Sequence, residues 1–113
     1  MTHVRSIELR MVALPLVRPF RTSFGVETDK VCILVRVETD EGVGWAESVT
    51  GPDPGFSEEF NEGAWAVIRD FLAPATFAAG DVTAERLADV FAGVRGNRMA
   101  KAALINAVLD AEL

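Results

Sequence analysis

"VCILVRVETDEGVGWAES", residues Val31 to Ser48, is the stretch whose reading decides the fold. Val31, Ile33, Val35 and Val37 take one side of an extended chain, while Arg36 and Glu38 take the other. A period of two predicts a half-buried strand. "DEGVG" then reads as a turn, with Gly42 and Gly44 expected to supply positive φ. "WAESV" resumes as a short strand, close enough to pair with the first as a hairpin. Upstream, "SIELRMVAL" alternates in the same way. Ile7, Leu9, Met11 and Ala13 share one face; Ser6, Glu8 and Arg10 share the other. Pro15 and Pro19 are expected to end this strand. They open a connecting segment, "RPFRTSFG", Arg18 to Gly25, that carries two large rings where surface polarity is usual.

Beyond the hairpin, "TGPDPGF" is a loop rich in Gly and Pro. From Ser57 the period lengthens. Ser57 reads as an N-cap, with Glu58 and Glu59 in the first turn of a helix whose apolar residues include Ala64, Val67, Ile68, Phe71 and Leu72. Pro74 is expected to stop it. Thr83 reads as the cap of a second helix, carrying Leu87, Val90 and Phe91. Asn97 reads as the cap of a third, "RMAKAALINAVLDAEL". Three antiparallel strands followed by about three helices make an α+β fold. The whole of 1–113 reads as one domain.

The last helix is apolar nearly all round. Its polar residues, Lys101, Asn106, Asp110 and Glu112, form no continuous face. Such a helix is usually buried on several sides. The sequence stops at Leu113 without a Gly cap or a Pro stop, so something apolar is expected beyond it. By itself the chain is expected to be a homo-oligomer or aggregation-prone.

Composition excludes several function classes. Seventeen acidic against eleven basic side chains give net charge −6. That charge argues against phosphate-rich nucleic acid and against an anionic membrane surface. No run reaches the ~18 apolar residues of a membrane span. The first residues lack the basic and apolar regions of a secretory signal. The single cysteine, Cys32, sits in an apolar run, which reads as a small buried hydrophobe and fits a cytoplasmic location.

The chemical inventory is thin. His3 is the only histidine and reads as solvated. There is no Cys/His cluster for zinc, and Glu58–Glu59 suits a helix start better than magnesium. No G-x-S-x-G elbow occurs. "GVGWAE" leads into a strand rather than a helix, so it is not a phosphate loop. Glu47 reads as a surface or loop-bracing carboxylate, Trp45 as a core or half-core ring, and Lys101 as solvated or snorkelling. Taken alone, Phe20 and Phe24 read as closing the small sheet's own core.

"PLVRPFRTSFG", "VCILVRVETDEGVGWAES" and "NRMAKAALINAVLDAEL" together resemble the amino-terminal capping domain of the enolase superfamily. The nearest likeness is to its o-succinylbenzoate synthase and N-acylamino acid racemase branch. The resemblance covers essentially all 113 residues. It implies a sheet-and-helix domain packed on a (β/α) barrel that is not in this chain. That barrel carries two lysines as acid/base groups and three carboxylates for Mg²⁺. The reaction implied removes the proton α to a carboxylate, giving an enolate that then dehydrates or is reprotonated. Neither Lys30 nor Lys101 matches a catalytic position, so the chain alone is expected to be inactive and to bind no metal.

The resemblance also gives the aromatic segment a role. It implies that the first loop folds over the barrel mouth, so that Phe20, Thr22, Ser23 and Phe24 face a small carboxylate substrate. A second element near Thr50 and Gly51 does the same. Muconate cycloisomerases and dipeptide epimerases are near alternatives. A reading of another class is a free-standing interaction domain that uses its apolar last helix.

Overall fold

The structure, a computed structural model, describes residues 2–22, 25–48, 50 and 59–113, and for 14–22 and 25–30 the backbone alone. Ser23, Phe24, Gly51 and the expected cap Ser57 lie outside the described residues.

The fold is α+β. One antiparallel sheet runs in the order β3-β2-β1-β4, with β1 at Thr2–Thr22, β2 at Gly25–Thr39, β3 at Val43–Ser48 and β4 at Asp81–Val82. β4 is a fourth strand beyond the three expected. It pairs Thr2 with Val82 and His3 with Asp81. Two residues carry no period, so such a strand has no sequence signal. The register sets Ile7, Leu9 and Met11 opposite Val37, Val35 and Ile33. Opposed residues project to the same side, so the apolar faces expected of the two strands coincide.

β1 does not end at Pro15. After Pro15↔Asp29 the ladder resumes at Phe20↔Glu27, so residues 16–19 of β1 lie against residue 28 of β2. Proline has no N–H to give the ladder, and the strand bulges instead of breaking. Among the described residues the last β2–β3 pair is Ile33↔Ser48, whereas β1 and β2 pair on to Thr22↔Gly25. The segment expected to be a loop is therefore largely a two-stranded ribbon that outruns its neighbour.

Helices cover one side of the sheet. α1 (Asn61–Val67), a π-helical turn (Ile68–Leu72) and α2 (Ala73–Ala78) follow without a break. The expected stop at Pro74 is absent. The Ala73 N–H reaches back five residues to the Ile68 carbonyl. The wider turn falls where Pro74 cannot donate, and it eases the clash of the ring with the preceding turn. α3 (Ala84–Val90) is capped as expected: Thr83 Oγ1 accepts the Arg86 N–H at 3.1 Å. A 3₁₀ turn, Phe91–Gly93, leads towards α4 (Arg98–Glu112). Ile33, Val35 and Val37 from the sheet meet Ile68, Leu72, Leu87, Phe91, Leu104 and Val108 in one core.

α4 departs from its expected cap. Asn97 occupies the position with left-handed backbone (φ 55°), and its side chain donates to the Arg95 carbonyl at 2.9 Å. The cap comes from Glu59, buried at 8% exposure, which accepts the Met99 N–H at 2.9 Å and the Ala100 N–H at 3.2 Å. Glu59 thus serves the start of a different helix from the one its sequence position suggested. A carboxylate there satisfies orphan N–H groups and opposes the helix dipole. Lys101 is tied to the Val94 carbonyl rather than left in solvent.

α4 buries one face: Ala100, Ala103, Leu104, Ala107, Val108 and Ala111. Met99, Leu109 and Leu113 remain exposed. The small buried residues let its backbone approach β3. A Cβ on Gly44 would stand 1.9 Å from the Ala107 carbonyl oxygen and 2.5 Å from the Ala111 nitrogen. Gly44 is therefore required by this contact, not by a positive φ; Gly42 is the turn glycine, at φ 153°. Asp110 accepts the Trp45 N–H at 2.8 Å and ties the edge strand to the helix.

Candidate functional site

The sheet brings two segments to the same end. The β1–β2 ribbon extends past the last β2–β3 pair, and β3 leads at that end to Thr50. Of the residues expected to face a substrate, Phe20 and Thr22 lie on the β1 side of the ribbon, opposite Glu27 and Gly25. Ser23, Phe24 and Gly51 are outside the described residues. Thr50 is 3% exposed, and its hydroxyl donates to Asn61 Oδ1 at 2.8 Å. Asn61, also 3% exposed, donates from Nδ2 to the Val31 carbonyl at 3.2 Å. The sequence reading passed over Asn61 and the capping role of Glu59. Neither has a local signal: Thr50 and Val31 lie 11 and 30 residues from Asn61, and Met99 lies 40 from Glu59.

The other candidate features resolve as structure. Trp45 is half exposed on the outer face of the sheet, with the Arg36 guanidinium 5.9 Å from its ring centre, so it is not a core ring. Its cross-strand partner is Arg36, which belongs to the polar set of β2. Cys32 is fully buried, and its Sγ donates to Glu47 Oε1 at 3.4 Å. His3 Nδ1 stands 3.3 Å from Asp81 in an exposed pair. An open groove of about 340 Å³ is lined by Met11, Glu62, Trp65, Ala66 and Arg69. Its guanidinium is engaged by Asp70 through two bonds of 2.8 and 2.9 Å, which raise the Arg69 pKa and lower that of Asp70. Among the described residues no three His, Cys, Asp or Glu side chains converge as metal ligands. These residues do not fit a Mg²⁺ site. No helix among the described residues is long and apolar enough to cross a membrane.

Residues 5–112 match the family described as the mandelate racemase / muconate lactonizing enzyme N-terminal domain. The chain belongs to this family. Within the enolase superfamily, this N-terminal domain falls in the o-succinylbenzoate synthase and N-acylamino acid racemase branch. It is 50% identical over 107 residues to the N-succinylamino acid racemase of an Amycolatopsis species, covering 95% of this chain and 29% of that protein. It is 41% identical over 109 residues to the o-succinylbenzoate synthase of Geobacillus stearothermophilus, covering 96% and 29%. Among solved structures, an enolase superfamily member from Listeria innocua superposes with a TM-score of 0.92 at 31% identity, over 99% of this chain and 30% of that one. The enolase-type N-terminal domain thus spans less than a third of these relatives. Membership implies Mg²⁺ in full-length relatives.

Proposed function

We propose that the chain is the substrate-capping domain of a Mg²⁺-dependent o-succinylbenzoate synthase or N-acylamino acid racemase, and that it is inactive alone. The observation that carries this is the β1–β2 ribbon, which outruns β3 on the same side as Thr50. It offers two adjacent segments to one neighbouring surface. When bound by carboxylates outside this chain, Mg²⁺ would stabilise the negative charge that develops as the α-proton leaves. The contribution of this chain is to exclude water and orient the substrate. Phe20 and Phe24 supply apolar surface at the ribbon end, and the lower local polarity strengthens every electrostatic contact beneath them. Thr22, Ser23 and Gly51 complete the rim, and Thr50, buried with its hydroxyl on Asn61, anchors the second segment beneath it.

The test joins this chain, in place of the matching domain, to the remainder of the Amycolatopsis racemase. Racemisation of an N-succinyl amino acid with Mg²⁺ is expected from the fusion and not from the 113-residue chain. Phe24→Ala in the fusion should lower kcat/KM while leaving the denaturation midpoint nearly unchanged. A core ring would instead cost roughly 3–5 kcal/mol of stability with normal turnover by the folded fraction. That result, or turnover by the chain alone, would overturn the reading.

A further inference from the structure

We infer that Asn61 is a positioning residue that sets the two candidate rim segments relative to each other, an inference that rests on the capping role proposed above. Among the described residues the last β2–β3 pair is Ile33↔Ser48. Carrying its register two residues further brings Val31 opposite Thr50, where no ladder pair forms. The Asn61 side chain takes up that place. It donates to the Val31 carbonyl at 3.2 Å and accepts the Thr50 hydroxyl at 2.8 Å. A backbone carbonyl only accepts, so the amide nitrogen must face Val31 and the oxygen must face Thr50. The Asn61 amide does both from one short side chain. Leucine can do neither, and an ionised aspartate cannot donate.

The location gives these two bonds their consequence. Val31 adjoins the part of β2 that pairs with β1 alone, so it is the root of the ribbon. Thr50 is the root of the second segment, and Glu59, two residues before Asn61, is held by the first N–H groups of α4. Asn61 therefore joins the ribbon root to both ends of the second segment. With Thr50 and Asn61 each 3% exposed, water does not compete for these bonds. A change at Asn61 would shift one rim segment against the other without removing any group that touches substrate.

The test uses Thr50→Val, Thr50→Ser, Asn61→Leu and Phe24→Ala. Amide hydrogen exchange is measured on the chain as it stands and on its fusion to the Amycolatopsis racemase remainder. Thr50→Val should speed exchange along Gly25–Val31 by about tenfold relative to α3, the loss expected for one buried hydrogen bond, and Asn61→Leu, which loses two, should speed it further. Thr50→Ser keeps the hydroxyl and should restore protection. In the fusion, the same two variants should raise KM for an N-succinyl amino acid more than they lower kcat, again with rescue by Thr50→Ser. Unchanged exchange, or exchange accelerated equally in α3 and α4, would overturn the positioning role. So would normal kcat/KM in Asn61→Leu beside impaired kcat/KM in Phe24→Ala. If both are normal while exchange along Gly25–Val31 still rises, the capping role itself is what fails.

Discussion

Replacing Gly44 by alanine should be among the most damaging single-methyl changes available to this chain. The added Cβ would sit 1.9 Å from the Ala107 carbonyl oxygen and 2.5 Å from the Ala111 nitrogen. Ordinary carbon–oxygen contact begins near ~3.4 Å, so strand and helix must part by more than an ångström. Both obstructing atoms are backbone, and no rotamer change relieves them. Parting α4 from β3 also strains the 2.8 Å bond between Asp110 and the Trp45 N–H. Overpacking a filled site costs about 1–3 kcal/mol, and the strained bond adds about 1 kcal/mol. At roughly 4–8 °C per kcal/mol, the value for domains slightly smaller than this one, a loss of about 2–4 kcal/mol should lower the midpoint by roughly 8–32 °C. Thermal and urea denaturation of Gly44→Ala measure it directly. Ala107→Gly should give no rescue, because the clash is with the carbonyl and not the methyl. Gly44→Asn separates the steric account from a conformational one: a left-handed position would tolerate Asn better than Ala. A midpoint within about 2 °C of wild type for Gly44→Ala would refute the close-approach argument.

Glu59→Ala should cost about 1–2 kcal/mol by leaving the first N–H groups of α4 without their acceptor, whereas Glu59→Gln should cost less because an acceptor remains; equal losses in urea denaturation would contradict the capping account. Ser48 carries a buried hydroxyl with no hydrogen-bond partner among the described residues, so Ser48→Ala should be neutral or stabilising by about 1 kcal/mol, and a clear loss of stability would show that the hydroxyl is satisfied in solution. The Asp40 carboxylate accepts the Thr2 hydroxyl at 2.6 Å and the His3 N–H at 2.9 Å, and the first of these most strongly lowers its pKa below the usual 3.8. A folded pKa below the unfolded one adds stability above pH 3.8 and loses it as pH falls through the folded value. The advantage of wild type over Asp40→Asn should therefore shrink on acidification through that window, and a difference in midpoint independent of pH would count against it.

By itself the sequence determined what depends on neighbours a few residues apart. The alternation from Val31 to Val37 and from Ile7 to Ala13 prescribed two strands, the first with its apolar face buried and the second with only Ile7 and Leu9 partly so, and the Thr83 cap marked the start of α3, because side-chain direction and capping are set within a turn or two of chain. Family membership was legible for a related reason: its motifs are contiguous. What only the tertiary structure decided involves partners far apart in the chain. Pro74 ended a helix by local rule, yet a π turn carried the helix through it. Gly44 looked like a turn glycine until α4 lay across it, and Trp45, by sequence a core or half-core ring, stands half exposed on an edge strand with Arg36 beside it. Asn97 had the right chemistry for a cap, but Glu59 took the role from some forty residues upstream. Asn61 carried no signal at all, because its two partners, Val31 and Thr50, become neighbours only when the β2–β3 ladder ends beside the start of α1. Hydrogen-bond chemistry belongs to the residue, but the partner that satisfies it is chosen by packing.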